Sequence, residues 1–233
     1  MSAVHNRHTT HIKDHARDGI TFVILSAGVG NRMRSYGPKC LFKTSDETIL
    51  DKQLKIINSS FSNVETILVV GFEANKIIKK IPDDIRIVEN QLYQTTNSAE
   101  SLRLAINNSI GDKIFFIHGD LIFNRETFKD LDFSKSFVVV DSKNQIAEDE
   151  VGITIVNNKA TFFSYGLNTK WCHMAFIRGK ELSILKSIYS KRGKDKMYTF
   201  EILNMIIEKK GSLVAIEPKH MDIKEIDSFK DLP

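Results

Sequence analysis

The stretch ITFVILSAGVGNRM (20–33) decides the fold. ITFVILS (20–26) is an unbroken apolar run, too short for a buried helix, and reads as a buried strand. It runs straight into Gly28 and Gly30. A glycine pair after a strand turns backbone N–H groups toward phosphate oxygens. A dinucleotide fingerprint, however, requires a third glycine, and Met33 stands in its place. Gly37-Pro38 also argues against a tight strand-to-helix entry. The G-x-x-x-x-G-K-[ST] loop fails as well, because Pro38 follows Gly37 and Cys40 follows Lys39. What remains is Arg32 and Lys39 flanking a glycine-rich loop. Arginine grips two phosphate oxygens at once and lysine adds a point charge. The pair suits a polyphosphate that is gripped and neutralised while one of its bonds breaks.

Outward from this loop the pattern alternates. Ile49, Leu50, Leu54, Ile57 and Phe61 have helical spacing over 49–61, and TILVVGF (66–72) reads as a strand. A short helix is stopped by Pro82, and a strand follows at 85–90. The spacing predicts a helix over 97–110, opened by a capping box with Asn97 or Ser98 as cap and Glu100 or Ser101 behind. KIFFIHGDLIF (113–123) is an apolar strand running into His118-Gly119-Asp120. This order predicts an α/β fold with a mostly parallel central sheet flanked by helices. Strand-like segments at 136–141, 151–158, 160–166 and 171–177 then predict a small antiparallel addition, with VNNKA (156–160) as a turn. Helices are expected over 180–190 and 199–210 and a strand over 212–218. MDIKEIDSFKDLP closes the chain with about one turn of helix. Residues 1–19 are expected to be a mobile tail and 20–233 a single domain.

The 233 residues are 42% apolar and 27% charged, ordinary values for a globular protein. No run approaches the roughly 18 apolar residues of a membrane span. The first 19 residues lack the apolar segment of a secretory signal. Cys40 and Cys172 form no metal or disulfide pattern, so a reducing, cytoplasmic setting is expected. The net charge of +4 comes partly from short, scattered lysine-rich stretches without an aromatic stripe, so no nucleic-acid partner is expected. His5, His8, His11 and His15 lie in the polar tail; their spacing would suit a metal on a helix face, but a tail is the simpler reading.

Asp120 ends the most apolar strand, where ligands collect in α/β sheets. A carboxylate there suits Mg²⁺, a hard cation, although an aspartate after glycine also serves as a turn residue. Asp222, Glu225, Asp227 and Asp231 form an acidic end that reads equally well as a charged surface segment.

L-S-A-G-V-G-N-R-M (25–33), P-K-C-L (38–41), G-D (119–120) and E-I-D-S-F-K-D-L (225–232) together resemble the sugar-phosphate and related nucleotidyltransferase family, with Ser26 departing from its usual alanine. The resemblance implies a glycosyltransferase-A-like, Rossmann-type catalytic domain over 20–233. It implies Arg32 as the clamp on the β- and γ-phosphates and Lys39 as the group that neutralises the α-phosphate. Asp120 would be the principal Mg²⁺ ligand and Asp227 the second, in preference to Asp222. Leu25, Ser26, Ala27, Gly28, Gly30, Asn31, Asn97 and Ser98 would complete the nucleotide site. N-x-x-x-S-L (97–102) and the E-I-D-S ending are similar to the bacterial choline-phosphate cytidylyltransferases. CTP is therefore the favoured nucleoside triphosphate. The acceptor is expected to be a small phosphorylated molecule: choline phosphate, a sugar or polyol phosphate, or a phosphonate. Tyr93, Tyr165, Trp171, His173 and Glu201 are candidates to contact it. A monomer and a homodimer are both compatible with the sequence. A glycosyltransferase would want a D-x-D motif, where this chain has Asp120-Leu121-Ile122. A dinucleotide-dependent oxidoreductase explains neither Arg32 nor Lys39, and a non-catalytic nucleotide-binding module leaves the full charged set without a purpose.

Overall fold

The computed structural model describes residues 19–30 and 36–231. The histidine-bearing tail, and Asn31, Arg32 and Met33 of the loop, lie outside the described residues.

The first strand, β1 (Thr21–Ser26), is buried along nearly its whole length. Its side chains alternate between two cores, Val23 and Leu25 on one face and Phe22 and Ile24 on the other. A 3-10 turn at Lys39–Leu41 and a ribbon of β2 (Lys43–Thr44) and β3 (Glu47–Thr48) lead into α1 (Ile49–Ser60). Thr48 accepts the Asp51 N–H while the Asp51 carboxylate accepts the Thr48 N–H, a reciprocal cap that fixes the helix start. Leu50, Leu54 and Ile57 of α1 pack onto the Phe22 face.

Next come β4 (Glu65–Val70), α2 (Ala74–Ile78), β5 (Arg86–Glu89), α3 (Ser98–Asn108) and β6 (Lys113–His118). Strands β5, β4, β1 and β6 are neighbours in that order, all parallel. The chain thus builds outward from β1 to β5 and returns to lay β6 on the other side of β1. This reversal opens a crevice beyond the carboxyl ends of β1 and β6, where ligands bind in open α/β sheets. The α3 cap departs from expectation. Asn97 holds the cap position, but its side chain makes no cap bond; Nδ2 instead donates to the Lys196 carbonyl at 2.7 Å.

The remaining elements are β7 (Leu121–Phe123), β8 (Phe137–Asp141), β9 (Val151–Val156), β10 (Lys159–Tyr165), β11 (Thr169–Arg178), α4 (Gly179–Tyr189), α5 (Thr199–Glu208), β12 (Val214–Ile216) and β13 (Ile223–Glu225). The antiparallel addition joins the same sheet, in the order β5-β4-β1-β6-β11-β8-β12-β10-β9. β11 runs antiparallel to both β6 and β8 and is the seam between the halves. The expected turn between β9 and β10 has Asn157 at φ 50° and Asn158 at φ 59°. Asparagine tolerates this left-handed geometry, which matches the twist of a hairpin. The closing segment holds more than the expected helical turn, here a 3-10 turn at Phe229–Asp231. β13 precedes it and pairs antiparallel with β7.

Helices α3, α4 and α5 cover one face of the sheet and α1 the other. On the α1 side Phe115 is fully buried, its ring centroid 5.1 Å from Phe22, 5.7 Å from Phe128 and 5.8 Å from Phe137. Truncating it leaves a cavity at the centre of an aromatic cluster. Phe115→Ala is expected to lower unfolding free energy by about 3–5 kcal/mol in urea denaturation. A loss below about 1 kcal/mol would show that the cluster closes over the gap.

Candidate active site

The crevice is built by fastening distant segments to one short turn. Gly119 N–H donates to the Leu25 carbonyl at 2.9 Å, which binds the end of β6 to the end of β1. Glycine suits position 119, because an added Cβ would lie 1.9 Å from Ser26 Oγ, which would have to rotate away, and 3.1 Å from the Leu25 carbonyl. From α1, buried Gln53 Nε2 donates to the carbonyls of His118 at 3.0 Å and Leu121 at 2.7 Å. Ile226 N–H donates to the Asp120 carbonyl at 2.9 Å, extending the β7–β13 pairing. The Ile226 side chain, fully buried against Phe42 and Ile49, anchors the segment. These restraints set Glu225 and Asp227 beside Asp120.

One oxygen from each of Asp120, Glu225 and Asp227 lies within 4.8 Å of the other two. Lys39 Nζ bridges the aspartates, 2.7 Å from Asp227 Oδ1 and 3.2 Å from Asp120 Oδ2. Burial opposes the charge on Lys39, but Asp120 and Asp227 outweigh it and raise its pKa. Asp120 Oδ1 is buried with no hydrogen-bond partner. Burial, reinforced by Asp120 and Asp227, pushes the Glu225 carboxyl up to about 8 against the pull of Lys170 and Lys39. Behind Glu225, His173 Nε2 lies 3.4 Å from its Oε2. Burial, with His118, Lys170 and Lys39 nearby, drives the His173 pKa well down. The distance would suit an ion pair, yet burial disfavours charge on both partners, so this is a contact between neutral groups. His118, its ring 4.6 Å from that of His173, is also shifted down by burial and by Lys39, with Asp120 opposing.

Two cavities meet here. The first, about 380 Å³, is lined by Leu25, Ser26, Ala27, Gly28, Gly30 and Lys39 on one side and by Asn97 and Ser98 on the other. Nothing lies within 4 Å of a Cβ built on Gly28, so the loop backbone is open to this space. The second, about 290 Å³, carries the carboxylates Asp149, Glu150, Glu225 and Asp227 and the rings of Tyr165, Trp171, Tyr198 and Phe200. Ser98, His118 and Tyr198 line both. Of the expected acceptor residues, Tyr165, Trp171 and His173 fall in the second cavity. Tyr93 lies instead in the first, on the segment that follows β5. Glu201 lines neither, since its carboxylate accepts the Tyr198 N–H at 2.7 Å and caps its own helix. Asp222 is exposed, its N–H donating to Asn124 Oδ1, and it stands outside the carboxylate group that includes Asp227. Asn31 and Arg32 lie outside the described residues. Sequence reasoning missed His118, Tyr198 and the place of Glu225. The signals were the histidine before Gly119-Asp120 and the even spacing of Glu225 and Asp227.

Residues 22–132 match the MobA-like NTP transferase domain. The chain's sheet and crevice have the glycosyltransferase-A-like fold of solved NTP transferases. The bifunctional protein GlmU of Campylobacter concisus is 32% identical over 108 residues, 46% of this chain and 24% of that protein. GlmU of Alkaliphilus metalliredigens is 36% identical over 66 residues, 28% of this chain and 14% of that protein. Among solved structures, the CTP:phosphocholine cytidylyltransferase LicC from Streptococcus pneumoniae superposes with a TM-score of 0.70 at 20% identity, covering 91% of this chain and 95% of that one. The inositol-1-phosphate CTP transferase from T. maritima gives 0.73 at 16% identity, covering 93% and 92%. These last two likenesses are of fold. Among the described residues no helix is long and apolar enough to cross a membrane.

The Glu225 shift has a signed consequence. Between its ordinary value of 4.5 and about 8, the folded chain holds a proton that the unfolded chain has lost. Stability therefore falls as pH rises through that window. In chelator-treated protein, Glu225→Gln is expected to flatten this fall and to gain on the wild type as pH rises, as read by thermal unfolding across the window. Equal slopes for the two proteins would show that Glu225 is already ionised.

Proposed function

We propose that this protein transfers a nucleoside monophosphate from a nucleoside triphosphate, CTP by preference, to a small phosphorylated acceptor, releasing pyrophosphate. The observation that carries this reading is Lys39 bridging Asp120 and Asp227 where two cavities join. The first cavity, with its open Gly28 backbone, takes the triphosphate, and the second takes the acceptor. An acceptor phosphate oxygen attacks the α-phosphorus in line. A new P–O bond forms, the bond to the α,β-bridging oxygen breaks, and pyrophosphate leaves with that electron pair. The attacking oxygen is already anionic near neutral pH, so positioning and charge neutralisation carry the reaction.

In this reading Lys39 meets the charge on the α-phosphate and Arg32 grips the β- and γ-phosphates. Leu25, Ser26, Ala27, Gly28, Gly30, Asn31, Asn97 and Ser98 hold the nucleotide. Asp120, Asp227 and Glu225 offer a hard, all-oxygen ligand set that fits Mg²⁺, and the unpartnered Asp120 Oδ1 supports the fit. Bound there, the ion would supply charge neutralisation to the phosphates.

The preference for CTP is supported by two structural relatives, each described as acting with CTP. Choline phosphate is favoured among acceptors, because aromatic faces beside carboxylates suit a quaternary ammonium. Tyr165 packs edge-on against Phe200 at 5.5 Å, and Tyr198 stacks on Phe200 at 5.9 Å.

The test is pyrophosphate release with Mg²⁺, each nucleoside triphosphate and a panel of phosphorylated acceptors. Release with CTP and choline phosphate is expected. Release with UTP or dTTP but not CTP would overturn the cytidylyl assignment, and no release with any pair would overturn the transferase reading. Lys39→Ala and Asp120→Ala are each expected to lower turnover about 10²-fold or more while circular dichroism stays native.

A further inference from the structure

The lysine-rich stretch KRGKDK (191–196) has no part in the site described so far. It carries Lys191, Arg192, Lys194 and Lys196 against one acid, Asp195, a formal surplus of three positive charges (four minus one). It lies in the loop between α4 and α5, and this loop is fastened down. Asn97 N–H donates to the Asp195 carbonyl at 2.8 Å, Asn97 Nδ2 to the Lys196 carbonyl at 2.7 Å, and Ala99 N–H to the Met197 carbonyl at 3.1 Å. Met197 N–H closes a turn onto the Lys194 carbonyl at 3.1 Å. Asn97 and Ser98 line the first cavity and Tyr198 lines both, so the loop sits at the rim. Each of these bonds on the loop side is a main-chain group. The four cationic side chains take no part in them, and none of the four forms an ion pair among the described residues.

The crevice beneath this rim has little to draw in an anion. Among the described residues lining the first cavity Lys39 is the one lysine or arginine, and Asp120 and Asp227 hold its ammonium. The adjoining cavity adds Asp149 and Asp227, and its Glu150 is paired with Lys170. A triphosphate therefore needs attraction from outside the crevice to approach these carboxylates. Charge acts over about 10 Å at 0.1 M salt and about 20 Å at 20 mM. Unpaired cations on a rim loop are within that range of the cavity mouth without touching the ligand.

We infer that the 191–196 loop is a steering element whose cations draw the nucleoside triphosphate to the mouth of the first cavity. The inference rests on the transferase reading for the identity of its anion. The loop acts on the encounter, so it speeds association and leaves turnover at saturation as it is.

The test compares two double variants of equal charge. Lys194→Gln with Lys196→Gln removes two charges from the rim and leaves the main-chain fastening in place. Lys209→Gln with Lys210→Gln removes two beyond the far end of α5, about 15 Å of helix from Thr199. Association of a ribose-labelled fluorescent nucleoside triphosphate would be followed by stopped flow with Mg²⁺, between 20 mM and 0.5 M salt. The label is placed on CTP, and on UTP if CTP does not bind. Two charges acting from about 10 Å on the doubly negative Mg²⁺ complex change the rate roughly fivefold at 20 mM salt. The rim pair is thus expected to slow association about fivefold at 20 mM salt and less than about 1.5-fold at 0.5 M. The distal pair should slow it less than about twofold throughout. Dissociation should change little in either, and in turnover the loss should fall on the triphosphate KM at low salt, with kcat unchanged. Damage to the fold would lower Tm and persist at high salt.

Equal slowing by the rim and distal pairs overturns the steering loop, as does a rim-pair loss undiminished at 0.5 M salt, or failure of both labelled triphosphates to bind the wild type. The transferase reading fails separately. Salt-dependent steering without any pyrophosphate release would leave the loop's role standing and sink the reaction. Pyrophosphate release with equal association rates in all three proteins would keep the reaction and sink the loop.

Discussion

The arrangement depends on one ammonium group. Lys39 Nζ reaches Asp120 across 81 positions of sequence and Asp227 across 188. Three carboxyl groups within 4.8 Å repel one another wherever water cannot screen them. The fold answers in two ways. Lys39 cancels one of the two aspartate charges, and Glu225 stays protonated to about pH 8. Together they leave one negative charge and one unpartnered oxygen, Asp120 Oδ1, in the crevice. That residue of charge is what a cation would meet. Lys39 is therefore what makes the carboxylate cluster tolerable.

The parallel half of the fold was legible because its signals are local. Buried runs such as ITFVILS and KIFFIH announce strands, and the helical spacing of 49–61 announces α1. Lys39, Asp120 and Asp227 could be picked out because each sits in a short motif. The rest was hidden in pairings over long distances. Glu225 joins the carboxylates only because β13 pairs with β7, about a hundred positions earlier in the chain. Asn97 fails as a side-chain cap because Lys196, 99 positions away, takes its amide. Tyr93, expected near the acceptor, lines the first cavity because the β5-to-α3 segment forms its wall. Glu201 looked available until its own helix claimed the carboxylate.

The switch from parallel to antiparallel pairing explains why there are two cavities. Parallel strands β1 and β6 end together and open the first. β11 runs the opposite way beside β6, so the end of β6 faces the beginning of β11 and the residues before Met174 overhang the crevice. Those residues are Trp171, Cys172 and His173. The second cavity is thus roofed by a strand that the parallel sheet alone would lack.

His173 shows how that roof is shaped. The register of β11 against β8 slips between Trp171 and Ala175, and within the slip His173 takes φ 54°. A left-handed conformation costs a non-glycine residue about 1–3 kcal/mol, and it persists only where the surroundings over-determine it. Here Trp171 Nε1 donates to the Met174 carbonyl at 3.1 Å, closing the bulge, and the His173 ring packs against both Trp171 and His118. Bulges beside active sites re-aim side chains. Here the His173 imidazole reaches the back of Glu225 and packs at a tilt against the histidine that both cavities share. The strained residue thus stands at the wall between the carboxylates and the paired histidines.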